Sequence, residues 1–370
     1  MEEFKELRDK IAVASKGEGE LLDAFIILWM ESLGMPKDVY HSSILQLESI
    51  SQDSAHAKAR ISVSYTIYYM LWQGNGNSIE KLNEAYELFG SCNDEAGSGL
   101  TLAFKALHFK NKGELVKAQE CVDAAIPKLK NHSKYLYFLG VAYFQGSEIH
   151  LLLNDNDAAL DYLQKGLVYF ENDTGAIKAR LLNATGNVYK NRNELNTAFQ
   201  YFTESLKNIE STNSSVLASK NYSDIGNYYL QINDMEKALD FQVKSLEIRK
   251  RMNQTRASIS NYIELSKIYL KLNDLNRGLD NAIRAVTLAE EHKVVSQIYE
   301  SQYVLSTIYE QMGEYKSALY HYKKYHSTKD QVTGLENARK IKQINMNHEM
   351  ETVQKEKEIF ELRNVWSYYL

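Results

Sequence analysis

Two asparagines stand forty residues apart, Asn187 and Asn227, with Lys267 and Thr307 one and two further steps of forty along the chain. An amide side chain is donor and acceptor at once, which suits two-point contact with the backbone of an extended peptide. Arg180, Asn183 and Lys190 share a helix face with Asn187, and Tyr303 stands one turn before Thr307. The cations Arg180, Lys190 and Lys267 would favour a peptide that carries an acidic group. The candidate partner-binding set is therefore Arg180, Asn183, Asn187, Lys190, Asn227, Lys267, Tyr303 and Thr307. The same residues also fit a solvated polar helix face, the ordinary condition of exposed polar side chains, and both readings stand on sequence alone.

Residue patterns for catalysis are missing. No G-x-x-x-x-G-K-[ST], H-E-x-x-H or G-x-S-x-G run occurs, so phosphate-loop, zinc-protease and serine-hydrolase chemistries have no foothold. The runs GEGE at Gly17 and GNGN at Gly74 do not sit between a strand and a helix and read as turns. His321 and His326 are five apart, which does not put two ligands on one helix face. Cys92 and Cys121 are isolated, which suits ordinary free thiols. The expectation is a protein that is not an enzyme and uses no metal or cofactor.

The elements that must position these residues are helical. The chain has 370 residues, 44% hydrophobic and 25% charged, a balance typical of folded proteins. Its two prolines, Pro36 and Pro127, leave the whole stretch beyond Pro127 without a helix breaker. The net charge of −5 is not segregated into blocks, which argues against nucleic acid as a partner. The apolar run AFIILWM is too short to span a bilayer, and the charged opening MEEFKELRDK is unlike a signal peptide, so no membrane partner and a cytoplasmic location are expected.

An internal repeat organises the chain. A small residue recurs at Gly186, Gly226, Ser266 and Ser306, each followed three residues later by a tyrosine: Tyr189, Tyr229, Tyr269 and Tyr309. Twelve residues after each small slot comes another small residue, at Ala198, Ala238, Gly278 and Ala318. Seven further on stand Ser205, Ser245, Ala285 and Tyr325, the last of which breaks the rule. Weaker copies place the slot at Ser147, with His150 in the tyrosine position and best read as a packed core histidine, then at Ala106 and Thr66. Each unit carries two apolar stripes at helical spacing, separated by a polar break such as KNRNEL or QINDME. A lone helical hairpin cannot bury both stripes, so the hairpins must stack.

This series, fullest at Gly186, Tyr189, Ala198, Phe202 and Ser205, resembles the tetratricopeptide repeat. The usual period is 34; the step of forty is similar to that of kinesin light chains, cell-polarity adaptors and many bacterial signalling proteins. The resemblance implies an all-α, right-handed superhelical solenoid of helix-turn-helix repeats whose first helices line a concave groove for a protein or peptide segment. It divides the chain into an atypical N-terminal helical cap (residues 1–59), about seven repeats (60–326) and a long charged C-terminal helix (327–370).

The last segment has pairs of apolar residues, Ile341 with Ile344, Met350 with Val353 and Ile359 with Leu362, spaced nine apart where a heptad needs seven. It reads equally as a coiled coil joining two copies and as a cap folded over the last repeat. The segment also resembles linkers between bacterial repeat sensors and output modules such as a cyclase, a histidine kinase or a DNA-binding domain. The chain stops at NVWSYYL without such a module; that end reads as the edge of a separate or truncated sensor, as a docking element, or as part of the core. The functional expectation is a non-catalytic sensor or adaptor of a bacterial signalling system. The alternative is an intracellular receptor for a signalling peptide that regulates a response regulator or transcription factor, in which residues 1–60 would carry the effector contact.

Overall fold

In the computed structural model, the described residues are 37–50, 55–72, 77–171, 175–209 and 215–330, with Ile26 and Lys355. The runs at Gly17 and Gly74, the segment AFIILWM apart from Ile26, and the apolar pairs from Ile341 onward, with NVWSYYL, lie outside them. The described elements are helices: α1 (Lys37–Ile50), α2 (Ala55–Trp72), α3 (Ser78–Ser91), α4 (Glu95–Lys112), α5 (Leu115–Lys130), α6 (Leu136–Leu152), α7 (Asn156–Val168), α8 (Ala176–Asn191), α9 (Leu195–Ile209), α10 (Ser215–Gln231), α11 (Met235–Arg251), α12 (Thr255–Lys271), α13 (Leu275–Glu291) and α14 (Val295–Gln311). Residues 315–330 form α15. No described helix is long and apolar enough to cross a membrane. Helix α2 starts before residue 60 and α15 runs through residues 326 and 327, so both sequence-drawn boundaries fall inside helices. Pro127 is accommodated in the last turn of α5.

The chain divides into two compact units, Met1–Asn221 and Tyr222–Leu370, with the division inside α10. In the first unit the hairpins α2/α3, α4/α5, α6/α7 and α8/α9 stack in sequence, and each first helix also touches the next first helix, α2 with α4, α4 with α6 and α6 with α8. Their core is continuous, built on buried Leu82, Phe89, Leu100, Phe138, Leu163 and Leu181. In the second unit α11, α12, α13 and α14 pack successively, α12 also touches α14, and Ile259, Ile263, Leu265, Leu305 and Ile308 form the core.

Why the hairpins from α4/α5 onward turn where they do is visible in the backbone. A residue with left-handed φ ends the first helix: Asn154 (57°), Asn193 (63°), Asn233 (60°) and Asn273 (59°), with glycine taking the same role at Gly113 (74°) and Gly313 (77°). Asparagine and glycine are the residues that tolerate this conformation. The next N–H then bonds back to the carbonyl of the tyrosine-slot residue, at 2.9 Å from Glu194 to Tyr189, Asp234 to Tyr229 and Asp274 to Tyr269, and 2.8 Å from Asp155 to His150. This satisfies a carbonyl that the helix end would leave open. The same Asp residue caps the second helix: Asp155, Asp234 and Asp274 accept the N–H three residues on at 3.0, 3.2 and 3.1 Å. One residue pair therefore ends one helix and starts the other.

The fixed turn brings the tyrosine slot against an aromatic twelve residues later. Tyr189 stacks on Tyr201 (5.3 Å, 8°), Tyr229 on Phe241 (5.6 Å, 12°), His150 on Tyr162 (5.3 Å, 26°) and Tyr309 on His321 (5.4 Å, 10°). Beside each pair the small slot permits close approach. A Cβ added to Gly186 would lie 2.6 Å from the Phe202 ring and 3.1 Å from the Ala198 carbonyl oxygen.

That crowding separates two glycines of different consequence. Gly186→Ala is expected to destabilise the chain by about 1–3 kcal/mol through overpacking. Gly90→Ala, where nothing lies within 4 Å of an added Cβ, should instead stabilise α3 by about 0.5–1 kcal/mol. Urea midpoints followed by circular dichroism check both; equal effects of the two substitutions would contradict the packing account.

Candidate functional site

The eight candidate residues fall four in each unit, all on first helices: Arg180, Asn183, Asn187 and Lys190 on α8, Asn227 on α10, Lys267 on α12, Tyr303 and Thr307 on α14. On α8 the polar groups are largely turned on one another. Asn183 is 1% exposed, and its Nδ2 donates to Asn221 Oδ1 at 3.0 Å, so it is interior and does not line a groove as the helical spacing suggests. The cause is the neighbouring helix α10, which covers that position. Asn187 Nδ2 donates to the Asn183 carbonyl (2.9 Å), and its Oδ1 accepts from Lys190 Nζ (2.7 Å). Arg180 lies over the Phe144 ring at 5.7 Å.

The second unit differs. Asn227 is half-buried and accepts from Gln242 Nε2 at 2.7 Å; its own amide nitrogen has no partner among the described residues. Lys267 pairs with Glu264 at 3.0 Å and also with Glu300. Burial opposes the charge on Lys267, yet the two carboxylates outweigh it and hold its pKa above the ordinary value. Burial raises the pKa of Glu264, against the pull of Lys267. Tyr303 is 49% exposed and Thr307 donates to the Tyr303 carbonyl at 3.1 Å. Ile263, one turn before Lys267 on α12, is in the core, and Glu148 on α6 is ion-paired to Lys110.

A polar network that the sequence reading passed over lies between repeats. Asn221 and Asn261, forty apart and fully buried, each reach the preceding second helix: Asn221 Nδ2 donates to Ser205 Oγ at 3.0 Å and Asn261 Nδ2 to Gln242 Oε1 at 2.7 Å. Arg249, also buried, donates to Asn261 Oδ1 at 2.5 Å and the Ala257 carbonyl at 2.6 Å. The signal was present, since the two asparagines hold one phase of the repeat. Unpaired, each buried amide would cost about 1–3 kcal/mol, so the network fixes which helix faces which.

Ser78 Oγ lies 2.6 Å from His108 Nδ1, a nucleophile-base spacing, but the residues are 0% and 1% exposed, out of reach of any substrate. No cluster of three metal-ligating side chains occurs among the described residues. Both cysteines are free, and burial pushes the Cys121 thiol up to about 11, away from reactivity.

Residues 219–251 match the sequence profile of the tetratricopeptide repeat, and the fold is that of a tetratricopeptide-type solenoid of helical hairpins. No curated protein sequence is significantly similar to the chain. Among solved structures it is similar to a signal-transduction ATPase with numerous domains and a tetratricopeptide repeat sensor from Pyrococcus horikoshii, with 16% identity and a TM-score of 0.63 over 88% of this chain and 50% of that one. It is also similar to a Rap protein complexed with competence and sporulation factor (12% identity, TM-score 0.53, 90% of this chain and 99% of that one). A third is aspartyl phosphate phosphatase F from Bacillus subtilis (13%, TM-score 0.54, 78% and 75%). At these identities the likeness is one of fold.

Three half-buried or buried histidines, His108, His150 and His321, have pKa values lowered first of all by burial. The folded state thus resists protonation that the unfolded chain accepts near its ordinary value of about 6.5, and stability contributed by the neutral rings is lost as pH falls through that value. For His150, stacked on Tyr162, the carboxylates of Asp155, Asp123 and Asp161 pull the other way without prevailing. His150→Tyr, which restores the repeat's own residue, is expected to flatten the fall in melting temperature between pH 7.5 and 5.5. Parallel curves for variant and parent would remove His150 as a contributor.

Proposed function

We propose that the chain is a non-catalytic, peptide- or protein-binding scaffold acting in the cytoplasm as the sensor or adaptor part of a bacterial signalling system. An extended segment lies along the first helices of the second unit, and its binding is passed to the residues that follow the repeats. The observation that carries this reading is the amide nitrogen of Asn227 on α10, without a partner among the described residues; two first helices further on, Tyr303 of α14 stays exposed. A peptide carbonyl would complete that amide, and an exposed tyrosine is a common anchor at interfaces. The tail would serve either as a coiled coil between two copies or as the route to an output module such as a cyclase, a kinase or a DNA-binding domain.

The likeness to a Rap protein complexed with competence and sporulation factor favours a second reading. There the chain would be an intracellular receptor for a signalling peptide, regulating a response regulator or transcription factor.

A random nonapeptide library displayed against the full chain tests the shared part. Selected peptides should bind Asn227→Ala about fivefold more weakly, the loss of one hydrogen bond of about 1 kcal/mol, and should lose at least as much with Tyr303→Ala. Retained affinity in both variants would move the site off this face. Light scattering tests the tail: the full chain is expected as a dimer and a version ending at Asp330 as a monomer, whereas two monomers would remove the coiled coil. Deleting residues 1–60 separates the readings, since effector binding should survive in the adaptor and vanish in the receptor.

A further inference from the structure

Of the three cations that the sequence offers to an acidic partner, Lys267 alone lies in the second unit, and it does not stand free. Lys267 lies between Glu264 and Glu300, two carboxylates for one ammonium. The Glu300 side chain keeps 43% of its surface exposed although Lys267 pairs with it, while Glu264 is drawn inward at 16%. Glu300 therefore has room to accept a second donor on its solvent side.

One helical turn beyond Glu300 on α14 stands Tyr303, so the carboxylate and the ring share a face. Tyr303 is held from behind. Its ring meets Tyr325 at 5.1 Å, and Tyr325 is stacked on Tyr299 at 4.7 Å with the two hydroxyls 3.3 Å apart. This buttress explains why Tyr325 replaces the small residue found at the same phase in earlier repeats, at Ser205, Ser245 and Ala285. A larger residue there fills space behind Tyr303, and the ring is left 49% exposed on a supported base. An ordered aromatic face adjoining a carboxylate complements a cation, which gains from the ring quadrupole and the ion pair together. Glu264 and Glu300 carry one charge more than the Lys267 between them can balance, which disfavours an anionic group beside Glu300; a further cation, Lys329, is already seated on the Tyr325 ring at 5.7 Å.

We propose that the face formed by Glu300 and Tyr303, with Glu264 and Lys267 behind it, docks a basic side chain of the bound peptide, an arginine or lysine lying on the Tyr303 ring and paired with Glu300. This rests on the peptide-binding reading above and assigns the charge of the partner opposite to the one the three candidate cations suggest. Lys267 then acts as a positioning residue that holds Glu300 in place.

The test uses the full chain and four nonapeptide libraries, each random except for one fixed central residue: Arg, Lys, Glu or Ala. The Arg and Lys libraries are expected to be enriched, with selected peptides binding Glu300→Gln and Tyr303→Leu about fivefold or more weakly. Glu300→Lys should reverse the preference toward the Glu library, a gain that loss of folding cannot imitate. Enrichment of the Glu library by the parent chain, or no response of Arg peptides to any of the three substitutions, overturns the charge assignment and leaves the peptide-binding reading standing. No enrichment of any library overturns both.

Discussion

The hairpins from α4/α5 onward depend on one backbone event: a first helix must stop, reverse and hand over to a second within three residues. The left-handed asparagine or glycine and the N–H bond back to the tyrosine-slot carbonyl accomplish it. Because that carbonyl belongs to the slot residue, the turn and the stack are locked in phase, and at His150, Tyr189, Tyr229 and Tyr309 the ring meets an aromatic twelve residues on, while Tyr269, followed at that distance by Asn281, is covered by Arg277. The small residue three positions earlier then lets the second helix come close enough for the stack to form. Turn, stack and small slot are one constraint seen at three places.

Stacking one hairpin on the next adds a second requirement, that the faces meet in a single way. Apolar residues supply the attraction, but small and aliphatic side chains repeated every forty residues tolerate slippage. The buried amides of Asn221 and Asn261 do not, because a shift by one residue would leave each without its hydrogen bonds. In each unit the polar layer thus selects among packings that the apolar layer alone would accept.

This division of labour explains what could be read from the sequence. The repeat phase was legible because Gly186, Tyr189 and Ala198 recur at a fixed step and their roles are local to one hairpin. The turn asparagines were visible only as polar breaks, since left-handed backbone is a property of the fold and not of composition. Helical spacing gives Asn183 a direction toward the outer face, whereas the residue that covers it, Asn221 on α10, lies thirty-eight residues away. The pairing of Lys267 with Glu300 spans thirty-three residues and two repeats, so the lysine looked free. Sequence gave the lattice of positions; the identity of each position's neighbour came with the fold.

The polar groups can therefore be sorted by whether stacking has already satisfied them. Asn183, Asn221 and Asn261 are consumed inside the stack, Asn187 and Lys190 satisfy each other, and Ser78 with His108 is sealed. A group whose hydrogen bonds are complete gains little from a ligand, because binding would exchange one partner for another. What remains on the first helices of the second unit is an amide nitrogen at Asn227, an exposed ring at Tyr303 and a carboxylate at Glu300 with a free side. In the proposed reading these supply a donor for a backbone carbonyl, a surface for a cation and its counter-charge. The proposed peptide contact rests on these three groups, because stacking leaves each with bonding capacity that the described residues do not use.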